Sequence, residues 1–408
     1  MQSTKYLLIG GGLSSSQAGK IIRMKDPDGG ITMVSKERHV PYDRPPLSKE
    51  ILRGEKTIDE LFFDPTTFFE EKRIELILDN PVQQLDTVAK KVLLKNGDAV
   101  EFEKALIATG GDPVKLKVPG SELYGVHYLR TIDDASAIDG EAAPGKRVVI
   151  IGAGFIGMEV ASSLTQRGIR VTVIEALPRI WARFLDENTA AYFKNYCEQK
   201  GITFVTNEKV GEIRGRTKAE TVMTESGQEI ECDFVCVGIG IRPSVEIARD
   251  AGLDVSDGIV VNEFLQTSHP DIYAAGDVAS YPDPVFGKRR RVEHWGHAEY
   301  SGQVAGLNMT GAGQKYDLLS YVWSDIFDLH IEFAGDESEH DRVLLRGNLD
   351  KRSFVVLYLK SDVLVAYLAV NTSSREYPKL QRLIRRKTLV EGKDVQLEDP
   401  EFDLKTLL

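Results

Sequence analysis

Twice in this chain an apolar run breaks into a glycine-rich turn that opens a helix and is followed by a second apolar run. The first instance is Tyr6-Leu7-Leu8-Ile9, then Gly10-Gly11-Gly12-Leu13-Ser14-Ser15, a helix rich in Ala, Gln and Ile, and Ile31-Thr32-Met33-Val34. The second is Arg147-Val148-Val149-Ile150-Ile151, then Gly152-Ala153-Gly154-Phe155-Ile156-Gly157, a helix to about Arg167, the helix-ending Gly168, and Val171-Thr172-Val173-Ile174. Short strands fully apolar along their length are buried on both faces, and a helix between two of them makes the strands parallel with a crossover. The chain therefore contains two βαβ units, which excludes helical-bundle and all-β folds.

Each residue of the second turn has a mechanical task. Gly152 permits the tight turn, Gly154 lets backbone N–H groups approach a pyrophosphate, and Gly157 lets helix and strand pack closely, with Phe155 and Ile156 on the loop between them. The helix N-terminus then attracts the anion. Glu175 closes the return strand, where a carboxylate accepts hydrogen bonds from a ribose diol and repels the extra phosphate of NADPH, so NADH is favoured. Arg179 and Arg183 follow closely and offer a phosphate contact. In the first turn Gly10 and Gly12 take the same places, Ser15 stands at the third glycine position, and Glu37 is the ribose candidate, with Lys36 just before it.

The modules interrupt one another. Lys104-Ala105-Leu106-Ile107-Ala108 followed by Thr109-Gly110-Gly111, Pro113 and Pro119-Gly120 reads as a crossover out of the first module. Asp233-Phe234-Val235-Cys236-Val237, ending in Gly238-Ile239-Gly240 and Arg242-Pro243, reads as the crossover back. The expected division is a discontinuous first domain at 1–110 and 242–318, an inserted domain at 111–241, and a third domain at 319–408. In that last part alternating stretches around 352–359 and 363–369 predict antiparallel strands. The fold class is α/β, with two Rossmann-like dinucleotide-binding domains plus a C-terminal α+β domain with an antiparallel sheet.

At 408 residues there is room for two to three domains. The net charge of −11 disfavours nucleic acid, whose binding needs a basic face. No stretch of roughly 18 apolar residues occurs, so no transmembrane segment is expected. The first strand begins without a leader-like segment, which predicts a cytoplasmic protein. The three cysteines, Cys197, Cys232 and Cys236, are too few for a disulfide framework and suit a reducing compartment. Cys232 and Cys236 share an apolar, strand-like run as small core residues. No metal site is expected.

The segment Pro41-Tyr42-Asp43-Arg44-Pro45-Pro46-Leu47-Ser48-Lys49 resembles the signature of the ferredoxin reductase-like flavoproteins. That group includes the putidaredoxin, rubredoxin and biphenyl-dioxygenase ferredoxin reductases and apoptosis-inducing factor, all on a glutathione-reductase-like plan. Further matches run in the family's order: Ala108-Thr109-Gly110, Gly125-Val126-His127-Tyr128-Leu129-Arg130-Thr131, Gly152 to Glu159, Gly238-Ile239-Gly240-Ile241-Arg242-Pro243, Tyr273-Ala274-Ala275-Gly276-Asp277-Val278, Arg291-Val292-Glu293-His294-Trp295 and Val322-Trp323-Ser324-Asp325.

The resemblance implies FAD in the first module and NADH in the second. It places Asp277 on the ribityl chain, Arg44 and Arg130 toward the pyrophosphate and flavin, and Trp295 and Trp323 near the isoalloxazine. Gly10, Gly12, Ser15, Glu37, Lys49, Val82, Thr109, Gly110 and Ala298 complete the implied FAD set; Gly238 and Gly240 join Gly152 to Gly157, Glu159, Glu175 and Arg183 for NADH. Lys49 and Glu159 are implied as a pair beside the flavin N5, where hydride arrives, which makes Lys49, Glu159 and Trp295 the catalytic candidates. The sequence departs from the family at Lys36, where many relatives carry the ribose-binding acid, and at Ser15.

No cysteine precedes Cys197, so the 41–49 loop offers no thiol, and thiol-mediated catalysis is not expected. What remains is hydride transfer from NADH to FAD, then single-electron transfer to an external acceptor. The resemblance implies a small iron-sulfur protein, a ferredoxin or a rubredoxin, with the reductase a monomer or homodimer. A basic docking patch is expected at Lys288-Arg289-Arg290-Arg291, with a second at Arg382, Arg385, Arg386 and Lys387. Two rivals share the scaffold: a slow-turnover NADH redox sensor or assembly protein like apoptosis-inducing factor, and a reductase of quinones or organic radicals. The compact 319–408 region, without the long insertion of the sensor relatives, favours the electron-transfer enzyme.

Overall fold

The computed structural model describes residues 2–182 and 184–408. Arg183, predicted for the nicotinamide site, lies outside the described residues. The chain forms two compact units: one holds residues up to Asp43, Leu61–Asp112 and Arg242–Val322, the other Arg44–Glu60, Pro113–Ile241 and Trp323–Leu408.

In the first unit, strand Gln2–Ile9 lies between parallel neighbours Ile31–Val34 and Ala99–Ile107. Ile74–Ile77 extends the sheet beyond Ile31–Val34, and Ile272–Ala274 pairs parallel with Ala99–Ile107. On the other side Val82–Asp86 and Lys91–Leu94 form an antiparallel meander into Ala99–Ile107. Leu7, Leu8, Leu106 and Ile107 are buried, as central strands covered on both faces require. The first strand starts four residues before the apolar run, because Gln2, Ser3 and Thr4 pair with Val100, Glu101 and Phe102 at the sheet's end. Polar residues there extend the ladder without adding to the core, so the apolar pattern understated the strand. Helices Leu13–Lys25 and Trp295–Met309 pack so closely that a Cβ on Gly302 would sit 2.4 Å from the Ser14 carbonyl oxygen.

The second unit contains a five-stranded parallel sheet in the order Thr203–Thr206, Arg170–Glu175, Arg147–Ile151, Phe234–Val237, Val126–Tyr128. Beside it stands a three-stranded antiparallel sheet, Val210–Arg214, Thr221–Thr224 and Glu229–Glu231, which the sequence reading did not anticipate. Val210, Ile213, Val222 and Ile230 of these strands join the core of Val149 and Val235, while Glu229 and Glu231 flank Ile230 outside it. The C-terminal part forms a five-stranded sheet, Tyr321–Ile326, Leu329–Gly335, Val363–Val370, Ser353–Lys360 and Arg342–Asn348, antiparallel at its last three pairings. Helix Tyr377–Arg386 lays Leu380, Leu383 and Ile384 into the core. Cys236 lies in its predicted strand, but Cys232 precedes it: its N–H bonds the Glu220 carbonyl, so the two do not share a strand face. Both are buried, as expected of small core residues.

Candidate functional site

In each unit the glycine turn sits where a central strand gives way to a helix between two parallel neighbours. Gly10 has φ +123°, and a Cβ there would stand 2.1 Å from the Ala108 carbonyl oxygen. Gly152, with φ +101°, would clash the same way with Gly238, at 2.5 Å. These positions admit only glycine, because the left-handed backbone and the close neighbouring strand both exclude a side chain. They lie at the carboxyl ends of the strands, where open parallel sheets bind ligands.

The helix that follows each turn begins bare. Gly12 and Gly154 are the N-caps, neither helix has a side-chain cap, and neither carries an acidic residue in its first turn. Beyond Gly12 an added Cβ meets nothing within 4 Å, and at Gly154 the nearest atom stands 4.0 Å away. Such N-termini present unpaired N–H groups and the positive end of the helix dipole to an anion. Gly157 does what its position predicts: a Cβ would come within 2.1 Å of the Gly152 oxygen. Ser15 takes the third-glycine place in the first unit, fully buried, and its hydroxyl and that of Ser16 have no hydrogen-bond partner among the described residues.

Several further predicted residues lie in the first unit. Ser14 donates to the Ala298 carbonyl oxygen at 2.8 Å, and Gly276, next to Asp277, packs against Ser14 and Ala298. Thr109 donates to the Ser244 oxygen at 2.7 Å, with Gly110 following at φ +65°. Glu37 accepts the Tyr42 hydroxyl at 2.6 Å, while Lys36 is turned into an ion pair with Asp112. Val82 opens the strand of the meander. Trp295 donates its indole N–H to Asp43 at 2.8 Å. Two histidines flank this helix start. Burial pushes His294, bonded to Ser320, down to about 3, and His297, bonded to the Tyr316 hydroxyl, down to about 4.

At the second turn, Glu175 accepts from the Ala153 N–H at 2.7 Å through one oxygen and from the Leu177 N–H at 2.8 Å through the other. Phe155 stacks on Phe184 at 5.1 Å and packs on Trp181. Phe155 and Ile156, expected on the loop, form the first turn of the helix, where Ile156 is exposed; Gly238 backs Gly152, and Gly240 follows at φ +115°.

Arg44, Lys49, Arg130 and Trp323 belong to the second unit. Arg44 donates to the Arg130 carbonyl oxygen at 2.6 Å. Lys49 precedes the short helix Glu50–Arg53 and is buried, its ammonium 4.0 Å from Glu159 and 5.9 Å from the Trp323 ring centre. Glu159 is buried on the helix after the glycine turn and accepts from the hydroxyls of Ser48 and Ser324. Burial pushes the Glu159 carboxyl up, and Lys49 and the two hydroxyls offset only part of that push.

The sequence reading missed the surroundings of this pair. Lys49 also meets Asp325 at 3.3 Å, and Asp325 binds His330 at 2.7 Å across the turn of the Tyr321–Ile326 and Leu329–Gly335 hairpin. Burial presses the Asp325 carboxyl upward, but the His330 bond and Lys49 hold it below the usual carboxylate range; the same bond lifts His330 above the ordinary imidazole value. Ser48, Ser324 and Asp325 stood inside segments singled out by motif. His330 left no signal beyond its spacing across a turn.

In the basic run at 288–291, Lys288 and Arg289 are exposed and Arg290 and Arg291 half-buried. Arg289 donates to the Val261 and Ser280 carbonyl oxygens, Arg290 pairs with the buried Asp283 at 3.2 Å, and Arg291 pairs with Asp257 and Glu293. These guanidiniums tie the run to segments at 257–261 and 280–283. Arg382, Arg385, Arg386 and Lys387 are exposed at the end of helix Tyr377–Arg386.

Comparison with known families agrees with the doubled turn. The family model described as pyridine nucleotide-disulphide oxidoreductase matches residues 4–302, and one described as reductase C-terminal matches 321–408. The chain belongs to the pyridine nucleotide-disulphide oxidoreductases. Among relatives of this oxidoreductase is the ferredoxin–NAD(+) reductase component of the anthranilate 1,2-dioxygenase system of Burkholderia cepacia, 32% identical over 100% of both chains. Another is the rubredoxin-NAD(+) reductase of Pseudomonas putida, 33% identical over 91% of this chain and 96% of its own. A solved structure of the covalent putidaredoxin reductase–putidaredoxin complex superposes with a TM-score of 0.94, at 28% identity, over 100% of this oxidoreductase and 98% of that chain. No helix among the described residues is long and apolar enough to cross a membrane.

Proposed function

We propose that this oxidoreductase takes hydride from NADH and passes the electrons, one at a time, to a small iron-sulfur protein of ferredoxin or rubredoxin type. The observation that carries the reading is the pair of glycine turns, each opening onto a helix with neither cap nor first-turn acid. Such turns fit dinucleotide phosphates, and the unpartnered hydroxyls of Ser15 and Ser16 fit a polar ligand group at the first. The names and full-length coverage of the relatives support the acceptor class.

FAD is assigned to 1–110 with 242–318, held by Gly10, Gly12, Ser15, Glu37, Arg44, Lys49, Val82, Thr109, Gly110, Arg130, Asp277, Trp295, Ala298 and Trp323. NADH is assigned to 111–241, held by Gly152, Gly154, Phe155, Ile156, Gly157, Glu159, Glu175, Gly238 and Gly240, with 319–408 as a separate C-terminal domain. Bound FAD would accept a hydride as an electron pair and release the electrons singly. Lys49 contributes a fixed positive charge for the hydride step, and Glu159 with Ser48 and Ser324 holds that charge in place. All three thiols are unpaired and buried, which supports catalysis without a thiol relay and action in the cytoplasm.

The test is steady-state NADH oxidation by the FAD-loaded enzyme with ferredoxin, rubredoxin, a quinone and ferricyanide as acceptors. Fast turnover with an iron-sulfur protein is expected. Slow turnover with every acceptor would instead mark a redox sensor, and preference for the quinone a different reductase.

A further inference from the structure

We propose that Asp325 and His330 carry a proton from the Lys49–Glu159 pair to water, with His330 as the outlet. The proposal rests on the reading that Lys49 and Glu159 serve the hydride step. A hydride is one proton with two electrons, and an iron-sulfur carrier accepts one electron without a proton. Each NADH therefore yields NAD+, two reduced carriers and one proton, and that proton must leave a buried place once per turnover.

The structure offers a graded line for it. Glu159 lies 4.0 Å from the Lys49 ammonium, which lies 3.3 Å from one oxygen of Asp325; the other oxygen lies 2.7 Å from Nδ1 of His330. Along that line side-chain exposure runs from 7% at Glu159 and 5% at Lys49 to 39% at Asp325 and 48% at His330. An ion pair meant only to fix Lys49 would be complete with Glu159 and Asp325. The added imidazole, the one of these groups whose ordinary titration lies near neutral pH, suits a proton outlet. The charged groups bearing on His330 are Asp325 on the neighbouring strand, Glu332 on its own strand and Lys49; both carboxylates raise its proton affinity and Lys49 lowers it. The Asn371 amide oxygen, which accepts the His330 backbone N–H at 2.8 Å, fixes the residue without titrating.

The test uses the FAD-loaded enzyme, reduced by NADH and mixed with ferricyanide in a stopped-flow instrument, wild type against His330→Gln. Removing a positioned acid-base group is expected to slow reoxidation about 100-fold or more at pH 7, relative to reduction by NADH. Free imidazole should restore much of the loss, and the ascending limb of the wild-type pH profile should vanish in the variant. By NMR, His330 should titrate above 6.5 in the wild type and lower in Asp325→Asn. Reoxidation equal to wild type at every pH overturns the proposal, as does a loss that imidazole leaves unrepaired with an unchanged pH profile, which is the mark of a structural role. Lys49→Ala separates the two readings: flavin reduction unchanged in that variant overturns the hydride assignment and the proton path with it. Slowed reduction there with a wild-type-like His330→Gln overturns the path alone.

Discussion

The Glu175 carboxylate accepts the backbone N–H of Ala153 at 2.7 Å, so the residue that closes the return strand also holds the turn of the glycine loop. One side chain thus joins two tasks that the sequence suggests separately: shaping the loop and presenting a negative charge beside it.

Glu175→Ala should therefore cost NADH more than NADPH. A hydrogen bond to a charged group contributes about 1.5–3 kcal/mol, which is on the order of a 10- to 100-fold loss in kcat/KM for NADH. NADPH, relieved of charge repulsion, should lose little. Steady-state kinetics with both nucleotides give the ratio, and an unaltered NADH to NADPH preference would remove Glu175 from the specificity assignment.

Lys49→Ala removes a buried cation and leaves Glu159 and Asp325 facing one another without it. Hydride transfer should slow by roughly 100-fold or more, the scale for loss of a preorganised electrostatic group, while NADH binding changes far less. Stopped-flow flavin reduction over a range of NADH concentrations separates the limiting rate from the dissociation constant.

How much of this site was legible depended on whether function is written in local spacing. The turns at Gly10 and Gly152 could be read because backbone sterics demand glycine there whatever the rest of the fold does. Strands Ile31–Val34 and Arg147–Ile151 matched their apolar runs because both faces are covered, whereas Gln2–Ser3–Thr4 depends on pairing with the distant Val100–Phe102, and the local meander at 210–231 is built of short strands with too few apolar residues to stand out. Lys49 and Glu159 became a pair only through family resemblance, and Asp325 and His330 meet through a hairpin whose register no short motif encodes. The basic run at 288–291 shows the same limit: a string of charges says nothing about partners such as Asp257 and Asp283, which the fold brings from elsewhere.

The cysteines should be chemically silent. Burial pushes the Cys197 and Cys232 thiols up to about 12 and raises Cys236 as well, so almost no thiolate exists near neutral pH. Ellman's reagent should label the native protein at well under one thiol per chain and the urea-unfolded protein at three, in line with the three cysteines of the sequence. Saturating a thiol-blocking reagent against the native enzyme should leave NADH oxidation within about 2-fold, since a thiol that is not ionised does not react.

Stability should fall in mild acid because of His294 and His297. Their folded values of about 3 and about 4 lie below the ordinary imidazole value of 6.5. Between these limits the unfolded chain binds protons that the folded one refuses, so unfolding becomes easier as pH drops from about 6.5 toward 4. Each fully withheld proton contributes a slope of up to about 1.4 kcal/mol per pH unit. Urea midpoints measured from pH 7 to 4.5 should show the decline, and His297→Gln should make it shallower. A parallel decline in that variant would mean His297 is not held neutral in the folded protein.

The exposed arginines of helix Tyr377–Arg386 stand beside the 288–291 run as a place to look for partner docking. Leu380, Leu383 and Ile384 fix the apolar face of that helix in the core, which leaves Arg382, Arg385 and Arg386, with Lys387, on the outer side. For a chain of net charge −11, a local basic face stands out against a repulsive background toward an acidic ferredoxin. Arg382→Glu combined with Arg385→Glu should lower the second-order rate of ferredoxin reduction about 10-fold or more at low salt, with NADH-to-ferricyanide turnover held as the comparison. The wild-type rate should fall steeply as ionic strength rises from about 0.01 to 0.15 M, because the Debye length shrinks from about 30 to 8 Å. In the doubly reversed variant that dependence should flatten or change sign. An equal salt dependence in both proteins would place the docking surface elsewhere, since steering through this helix requires its charge to be felt before contact.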